Sequence, residues 1–431
     1  MPKARSQPLA ALFAINKPTG VPSMTILNNL QPLFSSSKLF QDPNKPEEPQ
    51  GGKKAGNWGR RGKGRGRDDK VKMGQGGTLD PLADGVLVVG TNAATKSLSR
   101  FLDCTKQYRA IGLLGSSTDS YDSEGKWVRK AAYDGITREK VESVLGQFRG
   151  EIEQTPPVYS ALKMDGKPLY EYARGGTPLP RPIPSRKVTV HSLRLLRFED
   201  GDQHSYEMPK EELEADKKKE LERLQKMVKE GRTTVPNEEE VDVPAAGETP
   251  GEEEKKGDAA TAPTDSTTDA ATTAAPTAPS SSRPPIFEIE LTVSSGTYIR
   301  SIVHDIGLAL GSAAHVVKLT RTRQGEFVLE PPAATTTLEA TDSAAAPSGD
   351  APTEQPAEDA PKATADAPAA ESEKKLELET FSGGCVEWTL LEKAVAEHAA
   401  AKKEGREVTE GRDEDGWLEW ERDLLSKCKE V

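Results

Sequence analysis

The first periodic signal is "LFAIN" (12–16), an apolar run that stops at the Lys-Pro-x-Gly turn "KPTG". The run predicts a short strand, and "VPSMTILNNL" after it predicts a helix capped by Ser23 or Thr25. "VLVVG" (86–90) is continuously apolar behind a glycine-rich turn, as expected of a stiff buried strand. "QYRAIGLLG" (107–115) alternates into a strand. "TREKVESVLGQF" (137–148) carries Val141, Val144, Leu145 and Phe148 along one side of a helix, with Thr137 as its N-cap. "SRKVTVHSLRLLRF" (185–198) is β-branched at its start and predicts another strand. Core-like sequence returns in "PIFEIELTVSSGTYIRSIVHDIGLALG" and "AHVVKLTRTRQGEFVL". There Ile302, Ile306 and Leu310 recur four residues apart, a helical spacing that begins just after Arg300.

Other stretches break this pattern. Residues 31–70 are Pro-rich and then basic and Gly/Arg-rich. Residues 200–283 hold a charged helix, with Leu221, Leu224 and Val228 as a thin seam, followed by Ala/Thr/Pro low complexity. Residues 331–373 form a second low-complexity linker, and 374–431 predict a strand and short helices that return to the fold. The catalytic-sized unit, 1–330, is therefore built from three core pieces, 12–30, 71–199 and 284–330, enough for one α+β domain. Helices and strands alternate irregularly, which argues against a regular barrel or a doubly wound nucleotide-binding sheet. The acidic insertions are expected to be disordered and to leave from surface loops.

Composition supports that division. Over 431 residues the chain is 34% hydrophobic and 5% aromatic, low for a chain that packed throughout. A net charge of −11 argues against a nucleic-acid partner until the acid is located in the insertions. Locally the sign reverses: residues 53–67 carry Lys53, Lys54, Arg60, Arg61, Lys63, Arg65 and Arg67 with no acid. This arm resembles an arginine-glycine RNA-binding segment, and a solubilising surface loop is the plainer alternative. Cys104, Cys385 and Cys428 lie far apart, which fits a reducing compartment and excludes a disulfide framework. No apolar run approaches the roughly 18 residues of a membrane span. The first residues form no signal-peptide pattern, while Lys3 and Arg5 leave a mitochondrial address open.

Three residues carry candidate chemistry. Asp80 stands in "KMGQGGTLDPLADGVLVVG" between a glycine turn and an apolar strand, Tyr108 opens a strand, and Arg300 follows "SSGTY" at a helix start. A carboxylate in such a setting needs a cation, and Arg300 is the best candidate because its planar fork stays charged when partly buried. So paired, Asp80 remains ionised and suits a nucleophile or base. Taken alone, Asp80 before Pro81 is also a common turn choice, and Tyr108 is also a packing residue. His304 and His315 have no metal-ligand spacing. Asp119 and Asp122 in "GLLGSSTDSYDSEG" lack the acid density of a calcium loop, and "GQGG" is no phosphate loop. No metal or cofactor is expected.

These residues sit in segments with a family resemblance. "KMGQGGTLDPLADGVLVVG" resembles the catalytic motif of the TruB-type tRNA pseudouridine synthases. So do "INKPTGVPS", "TKQYRAIGLLGSSTDSYDSEG", "PPVYSALKMDGKPLYEYARGG" and "SSGTYIRSIVHDIGLALGSAAHV", in family order over almost the whole core. The acidic insertions, and the lack of an evident C-terminal RNA-binding PUA domain, resemble the fungal branch that modifies uridine 55 of the tRNA T-loop. The resemblance implies the pseudouridine synthase fold, a mixed, largely antiparallel sheet flanked by helices, and isomerisation of uridine without a cofactor. It makes Asp80 the essential aspartate, Tyr108 the tyrosine beside the target base, Arg300 the partner of the aspartate and Leu319 an apolar pocket wall. Lys17 and Pro18 match the N-terminal Lys-Pro segment that supports the pocket, and the resemblance places them among the substrate-binding residues. Gln75 replaces a common His; it hydrogen-bonds but cannot titrate, which points to substrate positioning.

Tyr159, Lys163, Lys167 and Arg174, with Tyr170 and Tyr172 between them, make a basic, aromatic-interleaved surface for RNA, which Arg181, Arg186 and Lys187 extend. The expected partner is tRNA, with messenger RNA as a second substrate. A monomer is expected, in the nucleus or mitochondrion, with the cytoplasm a third location. Three alternatives stand beside this reading. An inactive RNA-binding protein or tRNA chaperone of the same fold has Gln75 in its favour. A glycoside or nucleoside hydrolase needs a second carboxylate. A scaffold built on the acidic arms leaves the polar trio unexplained.

Overall fold

A computed structural model describes residues 6–43, 70–219 apart from 176, 178 and 182, residue 221, 283–329 and 383–431. The basic arm, with Lys53, Lys54, Arg60, Arg61, Lys63, Arg65 and Arg67, lies outside the described residues, as do Leu224, Val228 and the 331–373 linker.

One mixed, largely antiparallel sheet organises the described residues. Its strands are β1 (Ala11–Lys17), β2 (Met73–Gln75), β3 (Asp84–Thr91), β4 (Lys106–Leu114), β7 (Gly150–Gln154), β10 (Arg186–Glu199), β11 (Ile286–Val293), β12 (Ala314–Gln324), β13 (Phe327–Val328), β14 (Cys385–Glu387) and β15 (Lys429–Glu430). The main order is β14-β1-β3-β12-β4-β11-β10-β7, with β2 on β3, β13 on β12 and β15 on β1. Only the β1–β14 and β3–β12 pairings are parallel. Two small hairpins stand apart: β5 (Ser116–Thr118) with β6 (Trp127–Lys130), and β8 (Lys163–Met164) with β9 (Lys167–Pro168). The helices are α1 (Ser23–Ser36), α2 (Ser99–Asp103), α3 (Arg138–Leu145), α4 (Leu169–Gly175), α5 (Ile299–Ala309), α6 (Trp388–Glu404) and α7 (Glu419–Lys427).

Alternation along β4 shows how the pattern builds both faces. Tyr108, Ala110 and Leu114 join the main core with Ile302, Val303 and Ile306 of α5, whereas Ile111 and Leu113 pack with Ile286, Tyr206 and Met208 on the opposite face. The α5 helix can lie close to the sheet because Gly112 faces it. A Cβ there would meet Phe287 at 2.5 Å and Val303 at 2.8 Å.

Three expectations need correction. Neither Ser23 nor Thr25 caps α1: the N-cap is Pro22, and the Ser23 hydroxyl bonds Leu79 instead. The helix does not end near 30 but passes through Pro32 to Ser36, because Leu33, Phe34, Leu39 and Phe40 are buried and repay the hydrogen bond that proline removes. Nor does ordered packing stop at Glu199. Tyr206 and Met208 pack on the second sheet face and Leu213 is buried with its N–H on Trp127 O, apolar residues spaced too widely among acids to show a period.

Candidate active site

The loop between β2 and β3 carries Asp80, and long-range bonds hold it from several directions. Ser23 Oγ donates to Leu79 O (2.9 Å) and accepts from Leu79 N (3.0 Å). Gln324 Nε2 donates to Gly76 O at 2.7 Å, and Arg321 donates from Nη2 to Gly77 O at 3.4 Å and from Nε to Val86 O of β3 at 2.7 Å. Lys17 is fully buried, and its ammonium donates to the carbonyls of Pro18 (2.8 Å), Pro81 (3.2 Å) and Ala83 (2.6 Å). Burial pushes its pKa down to about 8 against the opposing pull of Asp84 and Asp80. Lys17 therefore braces the loop; assigned above to substrate binding, it has no exposed surface with which to touch a substrate. Pro18 enters the same clamp through its carbonyl.

Arg300, on the first turn of α5, faces Asp80 from the other side. Its Nε lies 2.8 Å from Asp80 Oδ2, a close charge contact without hydrogen-bond alignment. Its Nη1 donates to Ser120 O at 2.7 Å and Asp122 Oδ2 at 3.2 Å, and its Nη2 to Tyr159 O at 2.9 Å. One guanidinium thus joins two carboxylates and two carbonyls, a set of acceptors that suits arginine and not lysine. Exposure separates the acids. The side chain of Asp80 is 36% exposed against 7% for Asp122 and 4% for Arg300. Asp80 is thus the carboxylate open to a substrate, on a buried cationic base.

Asp122 is the site residue that sequence reasoning passed over. Burial raises its pKa, and Arg300 and the Ser120 hydroxyl (2.6 Å) pull it back only in part. The sequence carries its signal, since "TDSYDSEG" lies inside a family segment, although its acids match no calcium-loop pattern. Asp122 does not supply the opposed second acid that a glycosidase needs, because it binds the same guanidinium as Asp80 and faces inward.

Tyr108 is 8% exposed and shares the main core cluster with Leu319 and with Leu79, Leu82 and Ile299, which adjoin Asp80 and Arg300 in sequence. In register it lies between Leu291 and Arg321. Gln75, half-buried on β2, donates weakly to Thr78 Oγ1 at 3.3 Å, and its buried Oε1 has no hydrogen-bond partner. Tyr159 joins the centre twice. Its carbonyl accepts from Arg300, and burial, with Asp119 next in effect, raises its hydroxyl to about 12. His315 is buried, and burial lowers it to about 4, so its ring is neutral at physiological pH.

Beside the centre, residues 158–183 form a lobe with a small core of Met164, Leu169 and Ile183. The aromatic interleaving read in the sequence is internal to it: Lys167 Nζ lies 4.5 Å from the Tyr172 ring and the Arg174 guanidinium 5.3 Å from Tyr170. Lys163 is exposed on β8.

Residues 65–212 match the family described as TruB family pseudouridylate synthase (N terminal domain), and residues 300–355 the tRNA pseudouridylate synthase B C-terminal domain. The chain is 41% identical to tRNA pseudouridine synthase 4 of Schizosaccharomyces pombe, over 74% of this chain and 79% of that one. It is 36% identical to tRNA pseudouridine synthase 4 of Saccharomyces cerevisiae, over 74% and 78%. Pseudouridylate synthase TRUB1 of Mus musculus is 32% identical, over 76% and 66%. The chain belongs to the TruB family of pseudouridine synthases.

Proposed function

We propose that this chain isomerises uridine to pseudouridine at position 55 of the tRNA T-loop, with Asp80 as the catalytic carboxylate. The observation that carries this reading is the 2.8 Å contact between a half-open Asp80 and a buried Arg300. Arg300 pairs with Asp80 and leaves its carboxylate facing outward, as a nucleophile or sugar-proton base requires. Relatives that bear the name tRNA pseudouridine synthase support tRNA as the substrate. In the reaction the uracil leaves C1′ through N1, turns in place and rejoins C1′ through C5, and the C5 proton moves to N1. Atoms and electrons are conserved, so no cofactor or external electrophile is consumed. The target nucleotide must leave its stack to reach Asp80, and Tyr108 and Leu319 supply the wall that offsets part of the unstacking.

The test is a site-resolved assay on an unmodified tRNA transcript. Wild type is expected to yield pseudouridine at the T-loop uridine. Asp80→Ala is expected to bind the transcript and yield none. Binding without product in the wild type would instead make the chain an RNA-binding protein of this fold.

A further inference from the structure

Three non-glycine residues among those described have left-handed backbones: Asn92 (φ 48°), Tyr121 (φ 63°) and Asp165 (φ 50°). Asn and Asp tolerate that conformation because their short polar side chains bond locally, whereas an aromatic residue there is strained. Tyr121 lies directly between Ser120 and Asp122, the two residues that hold Arg300 Nη1.

The surroundings force the backbone into this shape. Tyr121 N donates to Thr118 O at 3.3 Å, and Tyr121 O accepts from Val316 N at 3.0 Å. Thr118 Oγ1 donates to Asp122 O at 2.7 Å, and Glu124 N to Asp122 Oδ1 at 3.2 Å. The Tyr121 ring stacks on His304, with centroids 4.1 Å apart and planes 13° from parallel. His304 stands four residues after Arg300, so both project from the same face of α5. The turn is thereby fastened to α5 at two successive levels, by Asp122 on Arg300 and by Tyr121 on His304.

We propose that Tyr121 and His304 are a stacked positioning pair that holds Asp122 on Arg300 and so sets the direction of Arg300 toward Asp80. The proposal rests on the reading of Asp80 and Arg300 as the isomerisation site. Strain kept at a position where glycine would relax is characteristic of functional turns. Both rings act through Asp122.

Variants separate positioning from packing. Tyr121→Gly relieves the backbone and removes the stack. Its kcat is expected to fall roughly tenfold to a hundredfold, with KM little changed and the melting temperature not lowered. Tyr121→Phe keeps the stack and is expected to turn over like wild type. His304→Ala is expected to reproduce the kcat loss, and the double variant to be no worse than either single one, as for residues acting as a unit. Wild-type kcat in Tyr121→Gly, or equal losses of kcat and melting temperature across the set, would overturn the proposal. A crystal structure of Tyr121→Gly reads the geometry independently of turnover. The 3.2 Å contact from Asp122 to Arg300 is expected to open, and its persistence would refute the pair's role whether or not the wild type makes pseudouridine.

Discussion

At the scale of single residues, the centre is a contest over where charge is held. Asp80 and Arg300 were legible in the sequence because each was out of place: an acid against an apolar strand, and a cation at a helix start where the dipole opposes it. Asp122 was not legible, because an acid in a Ser/Asp-rich turn looks like ordinary solvated sequence until the fold buries it. That burial has a measurable sign. The carboxyl of Asp122 is raised above its ordinary 3.8, chiefly by desolvation. The folded chain therefore keeps this proton to higher pH than the unfolded chain does. The associated stability is complete below pH 3.8 and is lost as pH rises through the folded value. Asp122→Asn, neutral at every pH, should gain in melting temperature relative to wild type as pH rises from below 3.8 through the folded value, while turnover falls. Thermal melts across that range check it, and a gap that stays constant or moves against the variant would count against a desolvated Asp122.

At the scale of elements, the Asp80 loop is rigid because strands and helices distant in sequence converge on it. Glycine is needed at Gly85 (φ +93°), where β3 meets β12 so closely that a Cβ would lie 2.3 Å from Arg321 O. The strands β4, β10 and the helices α3 and α5 could be read from periodicity. The braces could not, because Lys17, Arg321 and Gln324 are polar residues within strands, and polar residues in a strand normally signal its solvent face. Arg321 is instead among the largest fully buried side chains. Lys17→Met would keep the volume and remove three hydrogen bonds, leaving three carbonyls without this donor. A cost of about 3 kcal/mol or more is expected, enough to lower the melting temperature by roughly 10 °C. Turnover should fall too, because loosening the loop disorders Asp80. Calorimetry beside the tRNA assay tests this, and an unchanged melting temperature would mean that the clamp contributes little.

At the scale of the molecule, the C-terminal segment packs onto the sheet and closes one side of it. β14 and β15 both pair with β1, Trp420 of α7 stacks on Phe34 at 5.4 Å, and Ser37 Oγ donates to Glu421 at 2.5 Å. The segment therefore covers the edge of the strand that carries Lys17, and that pairing was unreadable from sequence because β14 and β15 are only three and two residues long. The net charge of −11 is a poor guide to partners, since the lobe beside Arg300 presents Lys163, Lys167 and Arg174. If those three cations neutralise phosphates, changing all of them to Gln should weaken tRNA binding and reduce the slope of log Kd against log salt by about two to three. The kcat at saturating tRNA should stay near wild type, because none of the three side chains holds Asp80, Asp122 or Arg300. Titrations over a salt series decide the point. An unchanged slope would remove the lobe from the RNA interface, whereas a lost kcat with an unchanged slope would mean that these side chains act on the chemistry and not on docking.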